Sequence, residues 1–153
     1  MGPWFRKRTT PAARSDESLP IIRLQGVSKT FKGESDDDTV ALDNVTVDIN
    51  RGEYVSVSGP SGCGKSTFLS VLALLETPST GVYWLNGRRT DQLTHAERAG
   101  VRSLDVGLIF QSFNLIADMS VYENVEYPLT LRGKSARERA ERVHAALERV
   151  GMT

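Results

Sequence analysis

Nine consecutive residues carry most of the chemistry in this 153-residue chain: Gly59-Pro60-Ser61-Gly62-Cys63-Gly64-Lys65-Ser66-Thr67. They fit the spacing G-x-x-x-x-G-K-[S/T], a loop built to hold phosphates. A phosphate chain needs many convergent N–H donors, and glycines let the backbone approach without a Cβ in the way. A helix opening near Gly64 would aim its free N–H groups and the positive end of its dipole at the anion. Lys65 adds a point charge within reach of the β- and γ-phosphates. Ser66 offers a hydroxyl to Mg²⁺, and Thr67 is placed toward the α-phosphate. Cys63 occupies a variable position, where a small side chain suffices. With glycine near 7% of residues, a chance match arises roughly once in two hundred chains of this length. The loop alone leaves GTPases, kinases, helicases and transporter ATPases open.

The flanks must position that loop. EYVSVSG (53–59) reads as a short strand running into it. STFLSVLALLE (66–76) reads as the helix leaving it, stopped by Thr77-Pro78. Upstream, IIRLQGVSKTF (21–31) and VALDNVTVDI (40–49) alternate as strands, the second with a phase slip near Asp43-Asn44. The polar KGESDDDT (32–39) joins them, which suggests an antiparallel pair. STGVYWLNG (79–87) is a further turn–strand–turn, with Tyr83 and Trp84 read as packing residues, and VGLIFQ (106–111) a short apolar strand. Thr94/Glu97, Ser120/Glu123 and Ser135/Glu138 each have capping-box spacing. In the last helix Ala136, Ala140, Val143, Leu147 and Val150 share one face. Arg137–Glu141 and Glu138–Arg142 add i,i+4 pairs, and Gly151 is a C′ residue.

Several separate stretches resemble the ATP-binding subunits of ABC transporters. LQGVSKTF (24–31) looks like that family's opening strand, VALDNVTVDINRGEYVSVSGPSGCGKST (40–67) like its run into the Walker A loop, and STGVYWLNGRR (79–89) like its next turn and strand. VGLIFQSFNLIADMSVYENVEYPL (106–129) resembles its Q-loop region. The acidic insertion after Phe31 and the FQSFNL and ENVEYPL strings are most like the lipoprotein-release and macrolide-export branch.

The resemblance implies an α/β fold: a P-loop NTPase core with an N-terminal antiparallel β subdomain and the start of a helical subdomain. It places the β subdomain and P-loop core at 21–110, and the Q-loop and helical start at 111–153. It makes Phe31 the ring that stacks on adenine, Gln111 the glutamine near metal and attacking water, and ATP with Mg²⁺ the ligand. It implies a transmembrane permease and a second, head-to-tail ATP-binding subunit as partners, at the inner face of the plasma membrane. No LSGGQ-type string, no apolar run ending in Asp-Glu and no switch histidine follows within these 153 residues. The expectation is therefore nucleotide binding without efficient hydrolysis by this chain alone, with marginal stability in isolation. The alternative is a non-catalytic module that pairs with an intact ATPase or permease. A small-molecule kinase is disfavoured by the 106–129 region.

Composition agrees in outline. Nineteen basic against 19 acidic side chains give zero formal charge, which argues against a strongly basic nucleic-acid surface. One cysteine excludes a disulfide framework, and His95 and His144 read as surface helix residues. No apolar run approaches the roughly 18–20 residues needed to span a bilayer. Residues 1–20 read as a mobile, solvated lead-in rather than a signal peptide, although Trp4 and Phe5 stand beside three basic residues.

Overall fold

A four-stranded antiparallel sheet underlies the candidate loop. The computed structural model describes residues 19–33 and 37–152; most of the expected lead-in lies outside the described residues. Strands β1 (Ile22–Phe31), β2 (Thr39–Ile49), β3 (Thr80–Leu85) and β4 (Arg88–Arg89) lie in the order β2-β1-β3-β4. The expected pairing of the first two segments is present, with Ile22 opposite Ile49 at one end and Phe31 opposite Thr39 at the other. β3 pairs with the free side of β1, and the Asn86-Gly87 turn, both residues at positive φ, folds β4 back onto β3. Asn-Gly is the residue pair that a tight hairpin favours, so this small fourth strand was detectable from sequence.

The phase slip in β2 is a real irregularity. Leu42 is buried on one parity and Val47 and Ile49 on the other, and Asn44 between them has φ +47°. Because successive strand side chains alternate faces, one extra residue restores the apolar set to the core side. The Ser28 hydroxyl accepts the Asn44 N–H at 2.9 Å, and the Thr46 hydroxyl accepts the Gly26 N–H at 3.0 Å. These side chains serve backbone donors where the ladder is interrupted.

Leu24, Val27, Leu42, Val47, Ile49, Tyr83 and Leu85 from the sheet form the core with Phe68 and Val71 of helix α1 (Lys65–Leu72). The opposite sheet face is polar: Arg23 pairs with Asp48 at 3.1 Å, and the Arg89 guanidinium lies 5.9 Å from the Trp84 ring centroid. Helix α2 (His95–Asp105) buries Val101, and Arg102 donates to the Leu74 carbonyl at 3.1 Å. The Thr94/Glu97 box is formed in both directions, at 2.9 and 3.3 Å.

Three expectations change. The helix after the loop ends at Leu72, not at 76. Leu74 adopts φ +58°, and the Leu75 and Leu74 N–H groups bond back to the carbonyls of Ser70 and Val71. That is a Schellman termination with leucine where glycine is usual. Leu74 is 2% exposed, so burial of its side chain offsets the cost of the left-handed backbone. Segments 53–59 and 106–111 are not strands, because neither has a ladder partner in the one sheet of the described residues. Burial nonetheless alternates over 53–58: Glu53, Val55 and Val57 are half-buried, and Tyr54, Ser56 and Ser58 are exposed. This is the period of an extended chain.

The chain divides into two compact units between Arg102 and Ser103. The second holds α3 (Val121–Leu131) and α4 (Ala136–Arg149). Ser120 and Glu123 form a complete capping box on α3. On α4 only half of the expected box exists: Ser135 accepts the Glu138 N–H, but the Glu138 carboxylate turns to Lys134 (3.1 Å) and Arg142 (2.9 Å). Two cations within reach outcompete one backbone donor. The expected Arg137–Glu141 pair forms at 2.9 Å, and Gly151, at φ +72°, is the C′ residue. Of the expected apolar face of α4, Val143 is buried and Ala136 and Val150 are exposed. His95 and His144 are both exposed, and His144 meets the Tyr122 ring edge-on at 5.6 Å.

Candidate functional site

Gly59–Gly64 curls between the extended segment 53–58 and the first turn of α1. The Cys63 N–H bonds the Pro60 carbonyl at 3.4 Å, and the Phe68 N–H bonds the Gly64 carbonyl at 2.8 Å, which starts the helix. Gly62 and Gly64 have φ +79° and +89°, values that side-chain-bearing residues rarely adopt. Their surroundings differ. A Cβ on Gly62 would meet nothing within 4 Å, whereas one on Gly64 would stand 2.2 Å from the Ala41 carbonyl oxygen. Gly64 is thus required by its packing against the backbone of β2, in addition to the phosphate approach expected of the loop glycines.

The N-terminus of α1 has no side-chain cap and no acid in its first turn. Four N–H groups at such an end lack intrahelical partners, and the dipole makes the end electropositive. By contrast α3 begins with a serine cap and a glutamate. Hydrogen bonds from the Ser120 side chain, and then from its backbone, hold the Glu123 carboxyl below the ordinary carboxylate range. An uncapped start to α1 leaves its donors for an anion from outside the chain.

Lys65 returns across the loop. Its Nζ donates to the carbonyls of Gly59 (2.8 Å) and Pro60 (2.6 Å) and lies 3.6 Å from Cys63 Sγ. The ammonium is thus fixed within the curl rather than extended into solvent. Ser61, Cys63 and Ser66 are exposed, and Thr67 is half-buried. The helix is anchored from behind: Phe68 and Val71, three residues apart, are buried on one face. The Tyr83 hydroxyl donates to the Leu72 carbonyl at 2.9 Å, and burial pushes that phenol well above its ordinary value.

Phe31 ends β1 and is 40% exposed. It pairs with Thr39, two residues before the Ala41 carbonyl that packs on Gly64. Phe31 and Gly59–Thr67 both belong to the first unit and both border β2, Phe31 at Thr39 and Gly64 at Ala41. Gln111 stands in the second unit, exposed, in the stretch between α2 and α3. Among the described residues no cluster of three His, Cys, Asp or Glu side chains could hold a metal ion, and no helix is long and apolar enough to cross a membrane.

A profile of the ABC transporter family matches residues 42–153. The chain belongs to this family. It is 42% identical over 132 residues to an uncharacterised ABC transporter ATP-binding protein of Methanocaldococcus jannaschii, covering 86% of this chain and 58% of that one. It is 39% identical over 133 residues to the macrolide export ATP-binding/permease protein MacB of Agrobacterium fabrum, covering 87% of this chain and 20% of that one. Among solved structures it is similar to a dimeric post-hydrolysis ATP-binding cassette bound to ADP and Pi, with a TM-score of 0.75, 37% identity and coverage of 83% of this chain and 56% of that one. This ABC chain thus spans little more than half the length of the single-cassette relatives it matches.

Proposed function

We propose that this chain is the ATP-binding portion of an ABC transporter ATPase and holds ATP·Mg²⁺ at Gly59–Thr67. The observation that carries the reading is the uncapped start of α1 together with the Lys65 ammonium fixed across the loop. The fit to a triphosphate is one of charge and space. The first turn offers N–H groups and no carboxylate, the loop is open at Gly62, and the Ser66 hydroxyl is exposed. The backbone of Gly59, Pro60, Ser61, Gly62, Cys63 and Gly64 would line the phosphates, Lys65 would bind the β- and γ-groups, and Thr67 would face the α-phosphate. Ser66 and Gln111 are the proposed Mg²⁺ contacts, Gln111 also orienting water, and Phe31 would take the adenine. Mg²⁺ supplies charge neutralisation across the phosphate oxygens.

In the whole protein this site would face a second ATP-binding subunit, and nucleotide-driven closure would move a transmembrane permease from the cytoplasmic side of the membrane. The dimeric cassettes and the permease-fused relatives support that reading. We assign 21–110 to the β subdomain and P-loop core and 111–153 to the Q-loop and the start of the helical subdomain. The 153 residues contain no signature or Walker B string, so the chain by itself binds nucleotide without turning it over. A second reading, a non-catalytic partner of an intact ATPase or permease, is favoured by the exposed apolar side chains Ile109, Phe110, Phe113 and Leu115. Phosphate release by the chain, with Lys65→Ala as control, tests the claim. The expected rate matches the control; steady turnover that disappears in Lys65→Ala would contradict it.

A further inference from the structure

Lys29 lies two residues before Phe31 on β1, and its side chain is 13% exposed. Residues two apart on a strand share a face. The Lys29 Nζ sits over the Phe31 ring, 4.9 Å from the centroid, inside the range in which an ammonium is held by an aromatic quadrupole. It is fixed from the other side by the Glu76 carboxylate at 2.7 Å and the Thr77 carbonyl at 3.0 Å. Glu76 and Thr77 belong to the turn that terminates α1, the helix that begins at the candidate loop. The residue just before β3 grips the end of β1 a second time: the Ser79 N–H bonds the Ser28 carbonyl at 2.8 Å, and the Ser79 hydroxyl accepts the Thr30 N–H at 3.0 Å.

We propose that Lys29, clamped by Glu76, is a positioning residue that sets the Phe31 ring for stacking on the nucleotide base and so contributes to recognition of the base rather than of the phosphates. The inference rests on the assignment of Phe31 to adenine made above. Two physical effects act together. A cation over one face of the ring holds its plane and leaves the opposite face as the one a base can cover. The same charge draws electron density from the ring, which favours stacking against the electron-rich adenine. The ammonium is anchored to the turn after α1. Ring and phosphate loop are therefore fixed to opposite ends of one helix and its turn, and their separation is set by the fold. A lysine pointing freely to solvent would do neither.

The test compares two probes on the full chain: Mg·ATP, and Mg·tripolyphosphate, which has the phosphates but no base. Lys29→Met keeps the aliphatic stem and removes the charge; Lys29→Arg keeps the charge; Glu76→Gln loosens the clamp without touching the ring. The expected result is a roughly three- to tenfold loss of ATP affinity in Lys29→Met, scaled on a partly buried cation–π contact. Tripolyphosphate affinity should be unchanged, Lys29→Arg should restore most of the loss, and Glu76→Gln should give a smaller loss of the same kind. In a Phe31→Ala background the Lys29→Met effect should vanish, because the lysine acts through the ring. Equal losses for both probes, or a Lys29→Met effect that persists without Phe31, would overturn the proposal and leave ATP binding intact. A wild-type chain that binds neither probe would overturn both readings.

Discussion

Gly64 lies against Ala41 so closely that a Cβ at position 64 would stand 2.2 Å from the Ala41 carbonyl oxygen. That contact docks the start of the loop helix onto β2, the strand that also faces Phe31 at Thr39. The loop is therefore held by backbone packing as well as by its own turns, and its two left-handed glycines fail differently when replaced.

Gly64→Ala must move a strand backbone and strain φ, whereas Gly62→Ala only strains φ, which costs about 1–2 kcal/mol. Urea unfolding of both variants should show Gly62→Ala near that figure and Gly64→Ala clearly beyond it. Equal midpoints would mean that the β2 contact relaxes freely.

Tyr83→Phe deletes a buried hydroxyl and leaves the Leu72 carbonyl without that donor. The expected destabilisation is about 1–3 kcal/mol, the cost of leaving a buried polar group unpaired. Chemical denaturation of the two proteins reads it directly, and an unchanged midpoint would mean that water replaces the phenol.

The caps on α2 and α3 make stability depend on pH with a definite sign. Hydrogen bonds from the Thr94 backbone and then its side chain hold the Glu97 carboxyl below its ordinary value, as the Ser120 contacts do for Glu123. A group lowered in the folded state contributes stability that is fully present above the ordinary carboxylate range and lost as pH falls through its folded value. Thermal unfolding of wild type and Glu123→Gln should therefore differ at neutral pH and converge in acid. A gap that widens on acidification would reverse the assignment.

Much of this was legible in the residues. Gly59–Thr67 declared the loop because its chemistry is local, and the phase slip near Asp43-Asn44 marked the place where β2 is irregular. Less legible was whatever depends on a distant partner. Val55 and Val57 look like strand residues, yet strand formation needs a ladder that sequence alone does not supply. Helix α1 stops early because Leu74 is buried deeply enough to offset a left-handed backbone, a tertiary effect without a glycine to announce it. Gly64's contact with Ala41 and Lys29's clamp by Glu76 join residues far apart in sequence.

Equilibrium titration with a fluorescent ATP analogue and Mg²⁺, on wild type and Lys65→Ala side by side, tests the account at its root. The expected result is saturable binding to the wild type that weakens roughly 10- to 100-fold in the mutant, the loss appropriate to a charged hydrogen-bond donor. A folded wild-type chain without measurable affinity, or one that Lys65→Ala leaves unaltered, would contradict it.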